Sequence, residues 1–133
     1  MRSRCVALFG EAEKGSFNEV YLCQTLPDLV QKLGNPPENT KGLHYAIQSI
    51  LFGHDLLFFR VKEEGYGIED YLRGIQFLEK IDQDQALLAL CMPGVGNEEI
   101  FKACSKICRK HHSVLVTNES DFYDYVTEKN NFV

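Results

Sequence analysis

Three apolar runs that do not alternate constrain this chain more than any other feature. Val6 to Phe9, Asp55 to Val61 and Ala86 to Met92 carry hydrophobic side chains at successive rather than alternate positions. A strand with one wet face alternates, whereas a continuous apolar run is a strand covered on both faces. Amphipathic helical patterns lie between these runs. Leu43, Ala46, Ile47, Ile50 and Leu51 follow the i, i+3, i+4, i+7, i+8 spacing, and Ile68, Tyr71, Leu72, Ile75 and Leu78 form a second stripe. Ile100, Cys104, Ile107, Cys108 and His111 form a third. Strand and helix alternating in this way predict a single three-layer α/β domain over residues 1–133. Its sheet is mostly parallel, of about four strands, with helices on both faces.

Shorter signals fill in the connections. Val20 to Cys23 suits a brief edge strand, and Val114 to Thr117 a short last strand. Thr25 is a helix N-cap with Pro27 in the first turn, Leu29, Val30 and Leu33 following at helical spacing, and Gly34 to close. Pro36-Pro37 breaks both helix and strand and marks an exposed loop. Asn97 caps the helix that starts with Glu98 and Glu99. Ser120 is placed to cap a terminal helix carrying Phe122, Tyr125 and Val126.

Composition narrows the function classes. Of the 133 residues, 44% are hydrophobic and 25% charged, enough for an ordinary buried core. The formal net charge of −5 disfavours nucleic acid as a partner. No apolar run reaches the roughly 20 residues that span a bilayer. Met1-Arg2-Ser3-Arg4 is basic, but the apolar stretch after it is too short for a signal peptide. The five cysteines are odd in number and scattered through apolar segments, as free thiols in a reducing compartment would be. A cytoplasmic protein with no membrane partner is expected.

Each chemical motif has a stronger structural explanation. Gly10 and Gly15 match the glycine spacing of a phosphate-binding loop, but Ser16 stands where its lysine belongs, and Glu11 and Glu13 would repel polyphosphate. Pro93-Gly94-Val95-Gly96-Asn97 joins a strand to a helix whose positive end Glu98 and Glu99 already occupy. Cys104, Cys108 and His111 share a face with Ile100 and Ile107, which makes it a core face rather than a zinc site. Cys91 lies in a buried-looking strand rather than at an exposed turn, and nothing in the sequence ties one of the four histidines to a thiol. The acidic pairs Glu63-Glu64, Glu69-Asp70 and Asp82-Asp84 fall in loops or at helix starts, where solvation and capping explain them. No catalytic, cofactor-binding or metal-ligating residue is therefore assigned, and no cofactor is expected. Lys102, Lys106 and Lys110 recur every fourth residue along one helix, as a solvated face or a docking stripe.

One stretch carries a family likeness. Phe9-Gly10-Glu11-Ala12-Glu13-Lys14-Gly15-Ser16-Phe17-Asn18-Glu19 resembles the G-x-A-x-x-G loop and following Asn-Glu pair of the sheath subunits of contractile phage tails and contractile injection systems. The likeness continues in order through Val20 to Thr25, Leu29 to Gly34, Ala46 to Phe52, Phe59-Arg60-Val61 and Leu87 to Gly94, then Ala103, Cys108 and Arg109. Sheath subunits are much longer and carry strand-donating extensions. They tend to have Asp where this chain has Thr117-Asn118. The resemblance implies one sheath-like domain with a non-enzymatic, structural or assembly role through protein–protein contacts, including self-association. The residues offered for contact are Glu11, Lys14, Asn18, Glu19, Lys102, Lys106 and Lys110, with the loop from Asn35 to Thr40 beside them. The competing reading is a small Rossmann-like enzyme or ligand-binding protein, its site at the carboxyl edge of the sheet near Gly10, Glu63 and Pro93 to Gly96.

Overall fold

The computed structural model describes residues 4–80 and 86–131; Asp82, Asp84 and the side chain of Val126 lie outside what it describes. The chain order is β1 (Arg4–Gly10), β2 (Val20–Cys23), α1 (Leu26–Leu33), α2 (Gly42–Leu51), β3 (Asp55–Arg60), α3 (Ile68–Glu79), β4 (Ala86–Cys91), α4 (Glu98–His111), β5 (Val114–Val116) and α5 (Glu119–Asn131). The strands form one sheet in the order β2-β3-β1-β4-β5. β3, β1, β4 and β5 are parallel, and β2 joins β3 antiparallel at the edge. The expected mostly parallel sheet is present, with four parallel strands and the short Val20–Cys23 segment as a fifth.

The absence of alternation in the apolar strands has a direct cause. Cys5, Ala7 and Phe9 of β1 point to a core built from α3 and α4, with Tyr71, Ile75, Leu78, Ile100, Cys104 and Ile107. Val6 and Leu8 point to the opposite core, with Leu29, Leu33, Leu43, Ala46 and Phe122 from α1, α2 and α5. Both faces of the central strand are thus dry, and a polar residue at either parity would be buried without a partner. No helix among the described residues is long and apolar enough to cross a membrane.

The caps largely follow the sequence. Thr25 Oγ1 accepts from the Asp28 amide at 3.2 Å. Asn97 Oδ1 accepts from the amides of Glu99 and Ile100 at 2.9 and 3.2 Å. Gly34 ends α1 with φ +77 and donates to the Val30 carbonyl. Two expectations are corrected. The cap of α5 is Asn118, not Ser120: Asn118 Oδ1 accepts from the Asp121 amide at 2.8 Å, and the helix begins one residue before Ser120. Leu51 is 62% exposed and does not belong to the buried stripe of α2. That stripe is rotated toward Leu43, Tyr45, Ala46 and Ser49. Ser49 can face the core because its hydroxyl donates to the Tyr45 carbonyl of the preceding turn at 2.9 Å.

Gly74 sets how closely α3 approaches the sheet. A Cβ there would lie 2.3 Å from Phe9 Cε2 and 2.9 Å from the Phe59 ring. Glycine to alanine in a helix ordinarily stabilises by up to about 1 kcal/mol. Here the sign reverses, because neither aromatic ring can retreat within a packed layer. Gly74→Ala is expected to destabilise by roughly 1–3 kcal/mol, read from the urea midpoint; a midpoint at or above wild type would contradict this packing.

Candidate functional site

In an open parallel sheet the ligand position is the crevice where neighbouring strands send their connections in opposite directions. In this sheet that point lies beyond the carboxyl ends of β1 and β4. The chain leaves β1 toward α1 and α2 and leaves β4 toward α4, on the opposite face. Three loops converge there: Glu11 to Glu19, Val61 to Gly67 and Met92 to Asn97.

An internal carboxylate sits among these loops, beside a cleft lined by Lys62, Glu63, Gly67, Ile68, Glu69 and Asp70. The Glu64 carboxylate accepts three backbone hydrogen bonds, from the amides of Glu11 (2.9 Å), Lys41 (2.8 Å) and Gly42 (2.9 Å). Two of these amides open α2, whose N-cap Lys41 supplies no capping side chain. Exposed amides at a helix start attract an anion, and Glu64 is that anion. The arrangement is reciprocal, since the Glu64 amide donates to Glu11 Oε2 at 3.0 Å. One residue on, the Gly65 amide donates to the buried Tyr71 hydroxyl at 2.7 Å.

Glycines make room for this contact. A Cβ on Gly10 would meet Gly42 Cα at 2.8 Å and Glu64 Oε2 at 2.9 Å. A Cβ on Gly42 would meet the same carboxylate at 2.8 Å. Gly65 lies against Gly94, where a Cβ would fall 2.8 Å from the Gly94 carbonyl oxygen. Gly10 therefore serves close backbone approach between β1 and α2.

The rest of the first loop is tied to α1 and β3. The amides of Glu13 and Lys14 both donate to the Leu33 carbonyl at 3.1 Å, and the Asn35 amide donates to Glu13 Oε1 at 3.0 Å. Arg60 Nη1 donates to the Gly15 carbonyl at 2.6 Å, and its guanidinium sits 4.2 Å from the centre of the Phe17 ring. No known protein family, curated protein or solved structure matches this chain.

The residues offered for protein contact fall into separate places. Glu11 is half-buried and held by the Glu64 amide, so it serves the anchor. Lys14, Asn18 and Glu19 are exposed on the loop after β1. Lys102, Lys106 and Lys110 are exposed on α4, and Lys110 Nζ donates to the Glu79 carbonyl at 3.1 Å. In the loop from Asn35 to Thr40, Thr40 is buried and donates to the Pro37 carbonyl, while Glu38 and Asn39 are exposed. The fold does not gather these residues into one patch.

The thiols face the core. Burial pushes the Cys104 thiol up to about 12, with Cys108 adding to it, and the Cys104 sulfur lies 3.7 Å from that of Met92. Burial likewise raises Cys91 and Cys108. A thiol held protonated is a poor nucleophile and a poor metal ligand. Among the described residues no group of three or more His, Cys, Asp or Glu side chains is placed to hold a metal ion.

Glu64 is the residue that sequence reasoning passed over. Two signals pointed to it: a helix start at Lys41-Gly42 without a capping side chain, and an acid beside Gly65 in a loop that follows a buried strand. Glu64→Ala is expected to cost roughly 2–4 kcal/mol, because three amides lose a charged acceptor at once. Glu64→Gln should cost less, since its amide oxygen still accepts. Urea unfolding reads both, and an unchanged midpoint for Glu64→Ala would contradict the anchor.

Proposed function

We propose that this domain is a non-enzymatic assembly module that works through protein–protein contacts, as its resemblance to a contractile-sheath domain implies. The observation that carries the reading is the Glu64 carboxylate in the crevice beyond β1 and β4. The same three amides would serve an external phosphate or carboxylate if the position were open. With an internal carboxylate bound to them, the edge of the sheet that usually does chemistry becomes a structural joint, and the outer surfaces are left to carry function.

Two surfaces suit contact with a second copy or another subunit. Lys102 and Lys106 project from α4 with no hydrogen bond or ion pair among the described residues. Lys14, Asn18 and Glu19 are presented on a loop whose backbone is fixed to α1 and β3, so little ordering entropy is lost when a partner binds. The formal net charge of −5 favours protein over nucleic-acid partners. A cytoplasmic setting belongs to the same reading and is supported by the unbridged thiols of Cys23, Cys91, Cys104 and Cys108.

Sedimentation velocity over a wide concentration range tests the proposal, alongside thermal melts with ATP, GTP or divalent metal. The expected result is concentration-dependent self-association, or stable retention of a protein partner, with no ligand-induced rise in Tm. Lys102→Glu with Lys106→Glu should weaken the association several-fold, as loss of matched surface charge does. A strictly monomeric protein whose Tm rises with a nucleotide would contradict the reading.

A further inference from the structure

We propose that the outer face of α2 docks a second copy of this chain, antiparallel across a two-fold axis. Leu51 of each copy enters the α2–α5 groove of the other. The inference rests on the assembly reading and gives it a partner and a surface. Among the described helices α2 alone carries no Asp, Glu, Lys or Arg. Its inner side packs into the core through Leu43, Tyr45, Ala46 and Ser49. Its outer side is His44, Ile47, Gln48 and Leu51, one stripe at i, i+3, i+4 and i+7. Leu51 is 62% exposed. The outer faces of α3 and α4 carry Glu69, Glu79, Lys102 and Lys106 instead. A helix with apolar residues on both sides is one that a further packing partner covers.

Shape makes a second copy the occupant. The N-terminal half of the stripe borders a groove of about 480 Å³ between α2 and α5, with His44, Ile47, Gln48 and Tyr123 in its lining. The C-terminal end of the same stripe bears the exposed Leu51. Hole and knob thus lie at opposite ends of one face. An antiparallel copy, turned about an axis between Ile47 and Gln48, brings each knob to the other's hole. Such self-complementarity is what an isologous contact requires.

Charge points the same way. Each copy carries a formal net charge of −5, so two copies repel one another at a distance. A two-fold axis also sets each residue near it against itself, which places like charges together. A stripe free of carboxylates, lysines and arginines is where both costs are smallest. Lys41 and Glu119 at the groove rim pair with each other at 3.4 Å and add no net charge.

Sedimentation equilibrium of the full chain tests the contact. A monomer–dimer equilibrium with a Kd on the order of 100 μM is expected, since one short helix pair lies at the small end of specific interfaces. Leu51→Glu should weaken it at least about tenfold, because the charge would be buried in the groove. Its Tm should stay at the wild-type value, since Leu51 is exposed in the single copy. Gln48→Glu sets two carboxylates near the axis and should weaken the dimer about threefold or more. Raising NaCl from about 50 to about 500 mM should leave the dimer as tight or tighter, because salt screens the net repulsion. A contact made by the α4 lysines would loosen instead. A protein that stays monomeric up to about 1 mM, a dimer indifferent to Leu51→Glu, or a dimer loosened by salt would each overturn the proposal. The last two outcomes leave the assembly reading standing on another surface, and a monomer that retains a separate protein partner does so too. The assembly reading itself fails where the protein neither self-associates nor retains a partner.

Discussion

The carboxylate of Glu64 is the interaction on which the upper half of this fold depends. Three segments far apart in sequence meet at it: the end of β1, the start of α2 and the loop after β3. The first two bring backbone amides that need an acceptor, and the third brings the acceptor. One side chain meets that need for both, and a charged acceptor does so more strongly than a neutral one. Gly10 and Gly42 then become requirements, because any larger residue would fill the space the carboxylate occupies.

This joint works together with the layering of the sheet. β1 lies at the centre with both faces dry, so its register is fixed by packing on α3 and α4 below and on α1, α2 and α5 above. A strand held that firmly delivers Gly10 to a definite place. The Glu64 loop closes over it from the neighbouring strand β3, and Gly94 from β4 closes against Gly65. At the carboxyl edge, where this class of fold usually binds ligands, the Glu64 carboxylate occupies the anion position at the start of α2, and a cleft lined by Lys62, Glu63, Gly67, Ile68, Glu69 and Asp70 opens beside it.

Much of the architecture was legible in the sequence because it is local or periodic. Continuous apolar runs give doubly covered strands, and helical stripes give the covering layers. Thr25 and Asn97 read correctly as caps because a capping bond spans only two or three residues. What stayed illegible depends on long-range placement. Glu64 sits 53 residues from Glu11 and 22 from Gly42, and no spacing rule connects them. Leu51 fits the helical stripe but is exposed, since the stripe cannot say where the sheet beneath ends or that Ser49 can satisfy its own hydroxyl within the helix. Asn118 outcompetes Ser120 because it precedes the first turn and its longer side chain reaches the Asp121 amide.

The central claim is that the Glu64 carboxylate holds the β1, α2 and β3 connections as one cooperative unit. Native-state hydrogen exchange at the amides of Glu11, Lys41 and Gly42 tests it most directly. All three lie in loops or at a helix start, where amides without a protein acceptor exchange quickly. The account predicts protection at all three, lost together in Glu64→Ala. Rapid exchange at these amides in the wild-type protein, or protection that survives the substitution, would contradict it.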